Sequence, residues 1–464
     1  MDKIRNLYDF YIEKLKIVSH DNKEYDFTSQ MTEISFEESV FEQNLHGSLF
    51  AVDSVDFPSL LPIMGEERIK FSFTRQDELG SAYLDPIEID LPIYNMSGNT
   101  TQNHVGSGKA QTYYLRYISE EQYTNANTKI YKKYRNMKYS EMVQRIYDEY
   151  LKTDDNSIEI EETSGEYSYY AQNVTPYRAI ADIALRSISS EDNGYNYVFY
   201  RDRDGFKFTT LSKLAKQNPI LTINYGVKNT PSSKYPRANF LTDLYSVEQY
   251  DKLIEFNTLE SGSNGEACSA LLSVDPVRRK FYLNAHDLRG DAGFNQHKIP
   301  LLQNSSWESY PHMNNSKTYI ENSRRFFNPR SSIEMVITDY AHKDAQYITE
   351  RDNDIYCSEP EFYLKQTKSH FKQMGTNTIR VSLSGNPKVQ AGSVINFLLP
   401  EVMSNVSEKK TPELDKYLQG RYLVTSVAHI LSKQKYVMNI ELVKDSYFSD
   451  IESRDPIEEY KFTY

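Results

Sequence analysis

The sequence is short of cysteine, of tryptophan, of long apolar runs and of positive charge, and most of these shortages remove a class of protein. Two cysteines, Cys268 and Cys357, permit at most one bridge, so a disulfide framework is excluded and a reducing compartment fits. No apolar run approaches the roughly 20 residues that a membrane-spanning helix needs. The opening stretch, MDKIRNLYDFYIEKLKIVS, carries a charge every few positions, which is expected of neither a signal peptide nor an anchor. The 53 Lys and Arg stand against 65 Asp and Glu, a formal net charge of -12. A broad grip on nucleic-acid phosphates needs concentrated Lys and Arg, so that function is disfavoured. DNA passing nearby is not: an acidic passage repels it weakly and lets it slide.

Tyrosine is abundant where tryptophan is not, with 38 Tyr and 22 Phe beside one Trp. Tyrosine buries a large ring and keeps a hydroxyl for a partner or for water, which suits interiors and protein interfaces alike. A compositional habit favouring Tyr, Lys and Asn accounts for the count equally well. At 464 residues the chain exceeds one ordinary core, and units of roughly 100 to 200 residues give about three or four.

Periodicity divides the chain. From Thr28 to Ser119 short alternating runs separated by turns predict a small all-β domain. Arg68 to Thr74 alternates strictly, and Leu49 to Val55, Ile87 to Tyr94 and Thr112 to Ile118 are further strands, Pro92 marking an edge or bulge. The Gly, Asn, Ser and Thr stretch Asn95 to Ala110 predicts a long loop. The period then lengthens to about 3.6: Tyr139, Met142, Val143, Ile146, Tyr147, Tyr150 and Leu151 share one helical face. A second helix is expected from the cap Thr175 and Pro176, with Ile180, Ile183, Ala184 and Ile188 inward. Tyr195 to Tyr200 and Phe206 to Leu211 flank Asp204 and Gly205 as a hairpin. The β pattern returns at Leu253 to Phe256 and Ala270 to Val274. Leu288 to Pro329, polar and holding Trp307, reads as an insertion. Ser358, Pro360 and Glu361 open a helix that ends at Gly375, with Tyr363, Thr367, Phe371 and Met374 on one side. Strands follow at Thr378 to Ser384, Gly392 to Leu399, Gly420 to Ile430 and Tyr436 to Lys444.

The expected architecture is therefore α+β and β-rich. A first small β domain with its N-terminal segment occupies 1–119 and an α/β insert 120–236. A discontinuous second β domain takes 237–275 plus 355–446, interrupted by an insert at 276–354, and an acidic tail follows at 447–464.

No motif recommends chemistry. Gly106, Ser107, Gly108 and Lys109 look like part of a phosphate loop, but Asn103 and Ala110 stand where it needs a glycine and a hydroxyl residue. Asp202, Asp204 and Gly205 resemble the start of a calcium loop without its closing acid, and strands flank them. The nine histidines, His286, His297, His312, His342, His370 and His429 among them, lack HExxH spacing and a cysteine in zinc range. His429, in an apolar strand, is expected to be a hydrogen-bonded structural residue. Glu37 with Glu38, Glu161 with Glu162, and Glu458 with Glu459 are neighbours whose side chains should diverge or solvate the surface. No GxSxG elbow occurs. No catalytic, cofactor or metal residue is therefore assigned.

This order of units resembles the central hub protein of contractile phage tail baseplates, over about Thr28 to Ser446. The local likeness lies in Tyr114 to Lys138, in GNPKVQAGSVI from Gly385 to Ile395, and in GRYLVTSVAH from Gly420 to His429. The resemblance implies two tube-type β-barrel domains, the second discontinuous, in a homotrimer whose six such domains match a sixfold tail tube and whose inserts meet a threefold spike. It implies no enzyme and no cofactor. Tube and wedge proteins are the other partners, DNA is only in transit, and the place is the virion tail after assembly in the host cytoplasm. The longer insertion at Leu288 to Pro329 and the lack of a repeat between the β domains depart from the family. A hub of a phage-like contractile injection system, and a Tyr-rich carbohydrate- or surface-binding β protein, are the alternatives. Ring contacts between small β domains would also protect strand edges that invite aggregation.

Overall fold

Alternation of apolar and polar residues with a period of two decides most of the described residues, which are 53% strand and 17% helix. The computed structural model describes residues 9–61, 63–75, 84–103, 109–153, 157–191, 194–225, 246–254, 268–276, 279–287, 333–337, 377–400, 414–415, 417–433 and 435–446, with single positions at 259, 263–264, 364, 367–368, 371–372 and 374–375. The chain begins with β1 (Tyr11–Val18), β2 (Glu24–Asp26), β3 (Met31–Ser39), β4 (His46–Asp53), the short α1 (Phe57–Leu60), β5 (Arg68–Thr74), β6 (Ile87–Asn103) and β7 (Lys109–Ile118). Next come α2 (Glu121–Asn127), β8 (Ile130–Met137), α3 (Tyr139–Ile146) with a π turn at Tyr147–Leu151, β9 (Ile158–Ile160), β10 (Tyr167–Val174), α4 (Pro176–Ala184), β11 (Tyr197–Asp202), β12 (Gly205–Thr210) and α5 (Leu211–Lys216). It closes with β13 (Leu221–Asn224), β14 (Gln249–Ile254), β15 (Cys268–Asp275), β16 (Lys280–Asp287), β17 (Ile333–Ile337), β18 (Asn377–Ser384), β19 (Val394–Leu398), β20 (Gly420–Ser432) and β21 (Lys435–Lys444).

Among the described residues, thirteen strands join in one sheet with the order β14-β18-β21-β20-β3-β4-β7-β6-β5-β1-β2, and β19 and β13 attach beside β20. It is an open path, not a closed barrel. Two strands make this possible. β20 pairs through Gly420 to Leu423 with β19 and through Ser426 to Ser432 with β3, so one 13-residue strand stitches late strands to early ones. β6 pairs with β5 up to Pro92 and with β7 from Ile93 onward. Phe36, Leu49, Ile69, Phe71, Phe73, Leu115 and Tyr117 form one core, to which Leu431 and Tyr436 contribute from the far side of the stitch. Val381, Ile395, Phe397, Tyr422, Val427, Met438 and Ile440 form a second. Each such side chain contributes about 1.5 to 3 kcal/mol on burial.

The elements between α2 and α5 have their own core of Met142, Val143, Ile146, Ile180, Ile183, Phe206 and Phe208. The expected helices are there, although α4 ends at Ala184 and leaves Ile188 beyond it: Thr175 accepts from the Arg178 amide, capping α4, and Pro176 stands at its first position. The β11–β12 hairpin turns at Asp204 and Gly205 as expected.

Two expectations need correcting. Asn95 to Ala110 is mostly strand, because β6 runs to Asn103 and β7 starts at Lys109. Register shifts at Ile93/Asn95 and Ser97/Thr100, with Gly98 at φ 75, break the alternation that would have revealed it. The opening segment is also a strand: Leu15 and Ile17 of β1 are fully buried against β5. The insertion at Leu288 to Pro329 and the tail at 447–464 lie outside the described residues. So does most of the helix expected from Ser358, although Met374 near its end is helical and buried.

Candidate functional site on the polar face, the edges and the seam of the sheet

In an antiparallel sheet, directly opposed residues share a face. One row across the shared sheet therefore reads Gln249, Ser382, Asn439, Ala428, Glu37, His46. A second reads Lys435, Ser432, Glu33, Phe50, Tyr114, Ser97, and a third Asp251, Arg380, Glu441, Ser426. Between the first two runs Val437, Ile430, Ser35, Ser48, Arg116, Asn95. The opposite face holds the two cores, so this one is wet and largely polar, with Phe50 and Tyr114 paired on it. Its formal charges are the carboxylates of Asp251, Glu441, Glu37 and Glu33 against the cations Arg380, Arg116 and Lys435. Arg380 lies 3.6 Å from Glu441. His46 sits 3.6 Å from Glu37 and 3.3 Å from Glu42. The neighbouring Glu37 carboxylate raises the affinity of His46 for its proton, and His46 lowers that of Glu37.

Among the described residues the open margins of the sheet include the outer side of β14, β2 at the other end of the path, β13 beyond β19, and the half of β6 from Ile93 onward, which pairs only with β7. Leu253 stands in a register shift of β14 and is 44% exposed. An apolar side chain on an unpaired edge is what sheets usually avoid unless another strand covers it.

The seam between β20 and β3 is built from rings. His429 stacks on Phe36 with centroids 4.5 Å apart, and its Nδ1 lies 2.7 Å from the Tyr436 hydroxyl. Burial pushes its pKa down, keeping it neutral, so the expected structural histidine is found. Tyr117 donates to the Ser35 carbonyl at 2.6 Å. Arg75 reaches across to the Ser384 hydroxyl at 3.2 Å and to the Gly385 carbonyl.

The remaining singled-out residues have structural tasks. Asp202 accepts from the Asp204 and Gly205 amides and pairs with Lys207 at 2.6 Å, which is a turn lock. Glu37 and Glu38 diverge, the first to the wet face and the second into the interior. Glu161 is buried and accepts from Ser189, Thr209 and Thr210, whereas Glu162 is exposed and pairs with Lys138. Gly106 to Gly108, His297, His312, His342, His370, Glu458 and Glu459 lie outside the described residues. Among the described residues no group of three or more His, Cys, Asp or Glu could hold a metal ion, and no helix is long and apolar enough to cross a membrane. Sequence reasoning missed the burial of Glu38. Its signal was parity, since it shares with Phe36 the core face of β3.

The open, β-rich sheet carrying α/β elements resembles the fold of solved phage tail proteins. No family model matches the sequence, and no curated protein is similar to it in sequence. Two solved structures share its fold. The tail protein from Neisseria meningitidis MC58 has a TM-score of 0.52 at 8% identity, over 95% of this chain and 98% of its own. The 43 kDa tail protein of prophage MuSo2 from Shewanella oneidensis has a TM-score of 0.50 at 9% identity, over 93% and 98%.

Proposed function

We propose that this chain is the structural hub of a phage tail baseplate, three copies of which close a ring between a sixfold tail tube and a threefold spike. The observation that carries this is the end-to-end likeness in fold to two tail proteins. The sheet supplies the physical means. β20 already joins late and early strands within one chain, and the margins at β14 and β6 offer the same kind of junction to neighbouring copies. The polar face then lines a passage whose four carboxylates outnumber its three cations and let DNA slide without capture. The two β units and the elements between them act as domains of this hub, and tube, spike and wedge proteins are its partners in the virion tail. A hub of a contractile injection system would use the same geometry. A sugar-binding reading fits less well, since the exposed pair Tyr131 and Tyr170 meets edge-on instead of forming a flat stacking platform. No catalytic group takes part.

Leu253→Asp tests the edge contact. Placing a carboxylate where a neighbouring strand must dock is expected to weaken assembly by about tenfold or more, since burying an unpaired charge costs several kcal/mol. Sedimentation of wild type and variant over a range of concentrations reads the effect. Equal self-association would remove β14 from the interface.

A further inference from the structure

The turn between β11 and β12 lies where three parts of the chain meet. On the side of β3, the Arg201 amide donates to the Glu42 carbonyl at 3.3 Å and Gln43 Nε2 to the Phe199 carbonyl at 3.4 Å. On the side of the segment before β19, Arg203 donates to the Val389 carbonyl at 3.1 Å and Gln390 to Asp204 at 2.7 Å. Glu38 closes the triangle: it is 1% exposed, and one carboxyl oxygen accepts from the Ala391 amide at 3.1 Å. The other carboxyl oxygen, one terminal nitrogen of Arg203 and the Tyr200 hydroxyl are buried without a hydrogen-bond partner.

Glu38 lies near two carboxylates, Asp202 and Asp204, with Arg203 as the cation that opposes them. Asp202 and Asp204 face Arg203 and Lys207, two anions against two cations, with Glu159 further out beside Lys207. The other sides are formed by Tyr200 from β11, His429 from β20 and Tyr436 from β21, with the Arg75 cation beyond Tyr436, and Lys388 is exposed. Ionising Glu38 adds a third carboxylate to a dry enclosure, where an extra unpaired charge is strongly unfavourable.

We infer that the Asp202–Gly205 turn is a proton-operated latch, which holds the α/β elements on the β3–β20 seam while Glu38 is neutral and loosens when Glu38 ionises. Burial is the main reason that the Glu38 pKa rises to about 7. The sign follows from it. An acid whose pKa is higher folded than unfolded retains an extra proton in the fold, so the fold loses stability as pH climbs from the ordinary carboxylate range to about 7. The latch is thus tight in mild acid and loose above neutrality. Any assembly that uses this seam inherits a pH-dependent freedom of its α/β elements.

Amide hydrogen exchange on the full chain, corrected for intrinsic rates, reads the latch. Protection across 197–210 and 386–393 is expected to fall about tenfold between about pH 6 and about pH 8, the change in the neutral fraction of one acid titrating midway. The β5–β6 hairpin should not change. Glu38→Gln, neutral throughout, should abolish the fall, and Asp204→Asn, which removes a competing carboxylate, should move the transition to lower pH. A fall of equal size in wild type and Glu38→Gln overturns the inference. So does a wild type whose junction responds no more than the β5–β6 hairpin, a comparison that stands even if a variant fails to fold.

Discussion

Gly385→Ala is expected to destabilise the seam by about 3 kcal/mol, the upper end for forcing atoms into a packed core. A methyl group there would lie 2.3 to 2.4 Å from three carbons of the Tyr436 ring. That ring cannot step aside: His429 holds its hydroxyl, and Phe73 meets it edge-on with centroids 5.4 Å apart. The Gly385 amide also bonds the Tyr436 carbonyl at 2.9 Å, fixing the backbone. Gly375→Ala is the control, because its nearest neighbours stand at 3.6 Å. Denaturant unfolding of both variants checks this, and equal midpoints would contradict the seam packing.

Glu121→Ala should cost about 3 to 5 kcal/mol, the range for stripping one partner from a buried ion pair. Glu121 is 2% and the Arg201 side chain 16% exposed, and their contact ties α2 to β11. The guanidinium also lies 5.4 Å over the Phe206 ring, within the core of the α/β elements. Without its carboxylate it remains charged among aromatic rings. Replacing both residues, Glu121→Leu with Arg201→Met, is expected to recover most of the loss, since a packed apolar pair is often as stable as a buried ionic one. A double-mutant cycle on thermal unfolding separates the outcomes, and additive losses would mean that the two groups act independently.

Where one face of a strand is buried and the other wet, the residues announced it. β5, β18, β20 and β21 were all legible, and so were the capped helix α4 and the β11–β12 hairpin. What stayed hidden is what alternation does not encode. The outer half of β6 is polar on both faces and twice bulged, so it reads as a loop. β1 has only Leu15, Ile17 and Val18 buried, amid charges. The stitch from β20 to β3 joins residues almost 400 positions apart, and no local pattern reports such a partner. The polar face is built from ordinary Ser, Asn, Glu and Arg, which become a surface only once register aligns them. Glu38 differs from Glu37 solely by pointing inward.

The central claim is that three copies close the sheet into a ring around an open passage. Single-particle imaging of the purified full chain, paired with its mass in solution, tests it most directly. The account predicts a three-copy ring with six β units about a central hole, lined by the face that carries Glu33, Glu37, Arg380 and Glu441. A compact monomer at every concentration, even with a spike partner supplied, would contradict it.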